Sequence, residues 1–181
     1  MGQPIRVMGI CGTYDLESAN GRILEIILEQ CRDLGADVSI WDNGKYPLPL
    51  VGAPGSWDDE NVKKFQAMAT ESDAFILSSP EYHGTMSGVM KNNLDWLYSK
   101  HTSGKIFGLI STLGGQSSNN TLNHMRIAAR WIHGWVAPEQ VAVPHIKEAL
   151  GEEGGIIDES IRNRISALSS SVVENSRKLR R

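Results

Sequence analysis

Ala74-Phe75-Ile76-Leu77-Ser78-Ser79-Pro80-Glu81-Tyr82-His83-Gly84 changes character halfway along. Its first half is an apolar run without polar alternation, the pattern of a strand covered on both faces. Its second half has the composition of a loop. A doubly covered strand that empties into a polar loop is the repeating unit of a parallel α/β sheet. The chain repeats it on both sides.

Upstream, Ile5 to Cys11 is a first apolar strand ending at Gly12. From Asn20 to about Gly35 the period becomes helical, with Leu24, Ile27, Leu28, Cys31 and Leu34 on one face and Glu25, Glu29, Arg32 and Asp33 on the other. Val38 to Trp41 reads as the second strand. A loop rich in Pro and Gly follows, and Ser56 opens the capping pattern Ser-Trp-Asp-Asp before a helix marked by Val62, Phe65 and Met68. Downstream of the third strand, the spacing predicts a helix with Met90, Leu94, Leu97 and Tyr98 on its inner face. Ile106 to Ser111 is the fourth strand, and Leu113 to Ser118 a loop. A helix with Leu122, Met125, Ala129 and Ile132 comes next, on which Trp131 and Trp135 are also placed. Val141 to Val143 is the fifth strand. A loop from Gly151 to Gly155 precedes a last helix marked by Ile161, Ile165, Leu168 and Val172. Its basic end, Arg177, Lys178, Arg180 and Arg181, is expected to be solvated. The expectation is a single domain over residues 1–181: a doubly wound five-stranded parallel sheet, order 2-1-3-4-5, with helices on both faces.

Composition narrows the function. Among 181 residues, 18 Lys and Arg against 21 Asp and Glu leave a net charge of −3, without the basic excess expected of a nucleic-acid binder. Cys11 and Cys31 have neither disulfide-scaffold nor metal-ligand spacing, so no metal site is expected and a reducing cytoplasm fits. The N-terminal residues carry no signal-peptide apolar region, and no apolar run reaches the ~18–20 residues of a membrane span. The expectation is a soluble cytoplasmic protein.

In a sheet of this order, ligands bind beyond the carboxyl ends of the strands, where the order reverses. The segments after Cys11, Ser78 and Ser111 meet there, and all three are rich in Gly, Ser, Thr and Asn. The first, Gly12 to Asn20, runs into a helix whose N-terminus would favour an anion. It is neither a Walker loop nor a Gly-x-Gly-x-x-Gly fingerprint, and Ser18 and Asn20 are equally read as plain helix caps.

The second segment, Pro80-Glu81-Tyr82-His83-Gly84-Thr85-Met86-Ser87-Gly88-Val89-Met90-Lys91-Asn92-Asn93-Leu94-Asp95-Trp96, resembles the NAD(P)H-dependent FMN reductase family of flavodoxin-like proteins. The family pattern is close to Pro-Glu-Tyr-Asn-x-Ser-x-x-Gly-x-Leu-Lys-Asn-x-x-Asp-Trp, matched without gaps at Pro80, Glu81, Tyr82, Gly88, Lys91, Asn92, Asp95 and Trp96. Gly12, Ser18 and Asn20, with Thr13 for Ser, resemble the family's first loop. Gly114 and Gly115 match its Gly-Gly pair after the fourth strand.

The resemblance implies a flavodoxin-like fold and an FMN enzyme with NADPH or NADH as co-substrate. It places the FMN phosphate at Thr13, Ser18 and Asn20. The isoalloxazine lies along Pro80, Glu81, Tyr82, His83 and Gly84, and its other edge meets Ser111, Gly114, Gly115 and Gln116. Hydride transfer to flavin needs stacking and orientation rather than a protein acid or base, so no catalytic side chain is assigned. The resemblance also implies a homodimer or tetramer, and Trp96, Trp131 and Trp135 are read either as core or as that interface. The sequence departs from the pattern at His83 (usually Asn), Met90 (usually Leu) and Asp15 (usually Arg). A carboxylate about 7 Å from a phosphate charge would cost on the order of 2 kcal/mol at an effective dielectric of ~20. Arg22 is a candidate for the missing cation.

The function so implied is an FMN-dependent NAD(P)H oxidoreductase passing electrons to a quinone, an azo compound, a metal oxyanion or free flavin. The alternative is a flavodoxin-like electron carrier without steady-state NAD(P)H oxidation. A receiver domain on the same sheet is a third reading, disfavoured because Cys11-Gly12-Thr13 stands where acids would cluster.

Overall fold

The computed structural model describes residues 3–116, 119–151 and 154–180. Ser117, Ser118, Arg181 and part of the Gly151–Gly155 loop lie outside them. The apolar runs become β1 (Arg6–Cys11), β2 (Asp37–Trp41), β3 (Ala74–Tyr82), β5 (Ile106–Thr112) and β6 (Trp135–Val143), with a two-residue β4 (Thr85–Met86). The order β2-β1-β3-β5-β6 is parallel throughout, and β4 pairs antiparallel with the end of β3. This is the expected doubly wound, flavodoxin-like sheet.

Strand alternation sorts the core into two layers. Val7, Cys11, Ala74, Ile76, Ile106 and Ile110 face α1 (Ala19–Asp33) and α7 (Glu159–Leu179). Met8, Ile10, Phe75, Leu77, Phe107 and Leu109 face α2 (Glu60–Glu71), α3 (Gly88–Asp95) and α5 (Asn120–Trp131). Short helices α4 (Ser99–Thr102) and α6 (Ile146–Ala149) fill connections. Both cysteines are buried and free, and burial pushes the Cys31 thiol up to about 11.

Several local expectations are corrected. Asp59, not Ser56, caps α2, accepting from the Asn61 and Val62 amides, and Ser56 instead starts a single 3-10 turn. Helix α3 stops at Asp95, so Tyr98 is exposed rather than on an inner face. Trp135 belongs to a strand, because β6 begins six residues before the expected Val141. Its first half includes Pro138 and a register irregularity opposite Phe107 and Leu109, so it lacks the apolar run of a covered strand. The basic C-terminus is not simply solvated: Arg180 pairs with Asp73 at 2.5 Å and donates to the Gln3 and Pro4 carbonyls.

His101 is buried, and its Nδ1 accepts the Tyr98 amide at 3.0 Å. Burial lowers its pKa from 6.5 to about 4, so the folded state binds this proton less readily than the unfolded chain. Its contribution to stability is expected in full above pH 6.5 and lost progressively as pH falls towards 4. Urea unfolding across that range should show His101→Gln with a shallower acid slope than the parent.

Candidate functional site

The site is assembled by buried polar bonds at the carboxyl ends of β1, β3 and β5. The Gly12 amide donates to the Ser78 carbonyl at 2.7 Å, and the Gly12 carbonyl accepts from Ser87 Oγ at 2.6 Å. A Cβ at Gly12 would lie 2.9 Å from Ser87 Oγ and 3.0 Å from Ser79 Cα, so only glycine lets the first two loops close together. Ser87 in turn caps α3 through the Met90 amide, and its own amide donates to Ser79 Oγ, each at 3.0 Å.

Asn20 sits at the centre. Its Nδ2 donates to the Ser78 carbonyl at 2.9 Å and to Cys11 Sγ at 3.2 Å. Its Oδ1 accepts from Ser78 Oγ at 3.0 Å and Thr112 Oγ1 at 3.1 Å. The buried side chain is thereby committed to tying β1, β3 and β5 together. Its backbone amide lies in the first turn of α1.

The first loop wraps around the Asp15 carbonyl. Thr13 Oγ1 and Ser18 Oγ both donate to it, at 2.9 and 2.6 Å, and lie 3.1 Å from each other. Ser18 caps α1 by accepting the Gly21 amide at 3.2 Å. Two hydroxyls thus stand beside a helix N-terminus, where orphan amides and the dipole favour an anion. The exposed Asp15 carboxylate turns back to accept the Glu17 amide at 2.8 Å, and Arg22 is exposed on α1.

The second loop is a hairpin. Pro80 is the last β3 residue paired with β5; beyond it Glu81 and Tyr82 pair with Met86 and Thr85. The two connecting residues, His83 and Gly84, have φ of 52° and 76°. Positive φ at both matches the preferred two-residue hairpin turn, and His, like Asn, enters that region more readily than most residues. This explains His83 by backbone geometry. Tyr82 is exposed, whereas Glu81 is buried and accepts Thr121 Oγ1 at 3.0 Å.

The third loop follows β5. Ser111 is buried, its hydroxyl without a partner among the described residues, while Gly114, Gly115 and Gln116 are exposed. Neither glycine has a left-handed backbone, and among the described residues no atom lies within 4 Å of where its Cβ would stand. Packing against the described residues does not require glycine at either position, and the rim there is open to a ligand's close approach. An anion-ready helix end and a glycine-open rim therefore flank one hairpin, and the residues present fit a phosphate-tailed planar cofactor.

The three tryptophans divide. Trp96 is fully buried and donates to the Pro49 carbonyl at 2.8 Å, whereas Trp131 and Trp135 are 81% and 61% exposed. Trp131, Ile127, Leu94 and Met86 line an apolar cleft of about 580 Å³ between α3 and α5. Among the described residues, no group of His, Cys, Asp or Glu is placed to hold a metal, and no helix is long and apolar enough to cross a membrane.

Residues 5–148 match the family model described as NADPH-dependent FMN reductase. The chain is 32% identical over 138 residues to an FMN-dependent NADPH-azoreductase of Staphylococcus haemolyticus, spanning 74% of this chain and 73% of that protein. It is 31% identical over 150 residues to the Staphylococcus aureus (strain USA300) protein of the same description, spanning 80% of each. Among solved structures, it resembles the flavoenzyme NAD(P)H:(acceptor) oxidoreductase of Paracoccus denitrificans, with a TM-score of 0.78, 20% identity, and 96% and 98% of the two chains covered. An oxidoreductase from Corynebacterium diphtheriae aligns with a TM-score of 0.77 at 15% identity, covering 98% and 99%. These two structures share the fold.

Replacing Asn20 with Ala strands buried groups on β3 and β5, and should cost about 2–3 kcal/mol in urea unfolding. His83→Asn should keep stability within ~0.5 kcal/mol, whereas His83→Val should lose about 1–2 kcal/mol, because a β-branched residue resists the turn's positive φ.

Proposed function

The chain belongs to the NADPH-dependent FMN reductase family and is an FMN-binding NAD(P)H oxidoreductase, and on that premise we propose that it delivers electrons to a small planar acceptor, an azo compound or quinone first among them. Metal oxyanions and free flavin are the further acceptor classes. The observation that carries the site assignment is the convergence of three loops, one bearing a helix N-terminus and one a pair of glycines that packing leaves unexplained.

In this reading Thr13, Ser18 and the Asn20 amide hold the FMN phosphate. Pro80, Glu81, Tyr82, His83 and Gly84 form the wall beside the ring, largely through backbone, and Ser111, Gly114, Gly115 and Gln116 form the opposite rim. When bound, FMN accepts a hydride from nicotinamide and yields its electrons to the second substrate. The chain's part is to bind and orient, so no side chain is assigned a proton-transfer role. NADPH is the proposed donor, supported by the descriptions of the relatives.

Two copies associate, in this proposal, through the α3–α5 face, where Ile127 and Trp131 project beside the apolar cleft. A cytoplasmic setting is supported by two buried, unpaired cysteines.

Purified protein supplied with FMN should be yellow, lose that colour on anaerobic addition of NADPH, and regain it when an azo dye or quinone follows. Protein that takes up no FMN ends the reading; flavin that stays oxidised makes it a carrier instead. Asp15→Arg exchanges a repelling charge for an attracting one. It should tighten FMN about tenfold by flavin fluorescence titration, since solvent screens an exposed charge. Unchanged affinity would place Asp15 away from the phosphate. Sedimentation should give twice the 19.9 kDa chain mass for the parent, and the single chain mass for Trp131→Glu.

A further inference from the structure

We infer that Glu81 is a positioning residue of the flavin site: its carboxylate clamps the start of α5 and so sets the distance between the second and third loops. The inference rests on the flavin reading for its consequence, but the clamp itself stands on geometry.

Glu81 is only 8% exposed, and a buried carboxylate needs hydrogen-bond donors or positive charge around it. Thr121, fully buried, donates its hydroxyl to Glu81 Oε2 at 3.0 Å. Thr121 lies in the first turn of α5, where the dipole favours a negative charge. Helices α1, α2, α3 and α7 are capped by the side chains of their own N-cap residues, Ser18, Asp59, Ser87 and Asp158. The α5 N-cap, Asn119, makes no such bond. The carboxylate that serves this helix comes from a strand 40 residues earlier in the chain.

One turn further along α5, His124 Nδ1 lies 2.7 Å from Thr85 Oγ1, on the other strand of the hairpin. Each strand of the hairpin is thus tied to α5. The hairpin carries the His83–Gly84 turn, and α5 begins where the third loop ends. The Glu81 carboxylate therefore acts on the ring's surroundings through α5, while only its backbone belongs to the wall beside the ring.

The first test is a thermodynamic cycle on FMN affinity, read by flavin fluorescence. Thr121→Val keeps the shape, removes the donor and should weaken FMN about tenfold, and Thr121→Ser should restore binding to within about threefold. Glu81→Gln should also weaken FMN, and the double variant should be no weaker than the poorer single one, because both break the same contact. Parent-like affinity in Thr121→Val, or losses that simply multiply, would overturn the clamp and leave Glu81 acting directly on the ring. The second test is hydrogen exchange on flavin-free parent and Glu81→Gln. Amides of residues 113–116 and 119–121 should exchange about tenfold faster in the variant while those of the first loop stay unchanged. Equal exchange in those residues would overturn the clamp. Because this measurement uses no flavin, it decides the clamp even if the parent takes up no FMN, an outcome that would sink the functional reading alone.

Discussion

The buried amide of Asn20 is the constraint on which the site depends. One side chain satisfies groups on β1, β3 and β5 at once: the Cys11 thiol, the Ser78 carbonyl and hydroxyl, and the Thr112 hydroxyl. In a low-dielectric interior each of those groups would be costly to leave alone, so the three strand ends are held at a common height. The loops that leave those ends inherit that alignment. Gly12 adds a steric condition, since any larger residue would push the first loop off Ser79 and Ser87.

Several polar side chains here are committed to the scaffold. Ser87 caps a helix and holds the Gly12 carbonyl, Ser79 holds the Ser87 amide, and Glu81 is turned inward to Thr121. Amides at the α1 N-terminus and the glycines of the third loop are the surface that the proposed site offers a ligand. Such a division suits hydride chemistry, which asks a protein for orientation and shape more than for an acid or a base. The Asp15 carboxylate, in the first loop, is turned back onto the Glu17 amide.

Much of this was legible from residue order. The apolar runs of β1, β3 and β5 announce strands covered on both faces, and helical spacing marked the long helices. The resemblance of Pro80 to Trp96 carried the cofactor. The hairpin at His83-Gly84 was not read from the sequence, where Ser79 to Ser87 reads as a loop; the left-handed backbone at both positions is what the structure added. The start of β6 was not legible: Pro138, Glu139 and Gln140 interrupt the apolar pattern on an edge strand exposed to solvent.

Periodicity by itself determined which runs are strands and which are helices, because burial on both faces forces apolar runs and those runs are local; the order was read from the fit of the element lengths to a doubly wound sheet. Only the tertiary structure decided what each polar or aromatic residue does. The side chains of Asn20 and Glu81, read in one dimension as groups for a ligand, are hydrogen-bonded within the protein. Trp96 and Trp131 are the same letter, yet one is fully buried and the other 81% exposed. The reason is that a hydrogen-bond partner or a covered face is supplied by residues 40 to 92 positions away, as with Glu81 and Thr121 or Asn20 and Thr112. No local pattern encodes that distance.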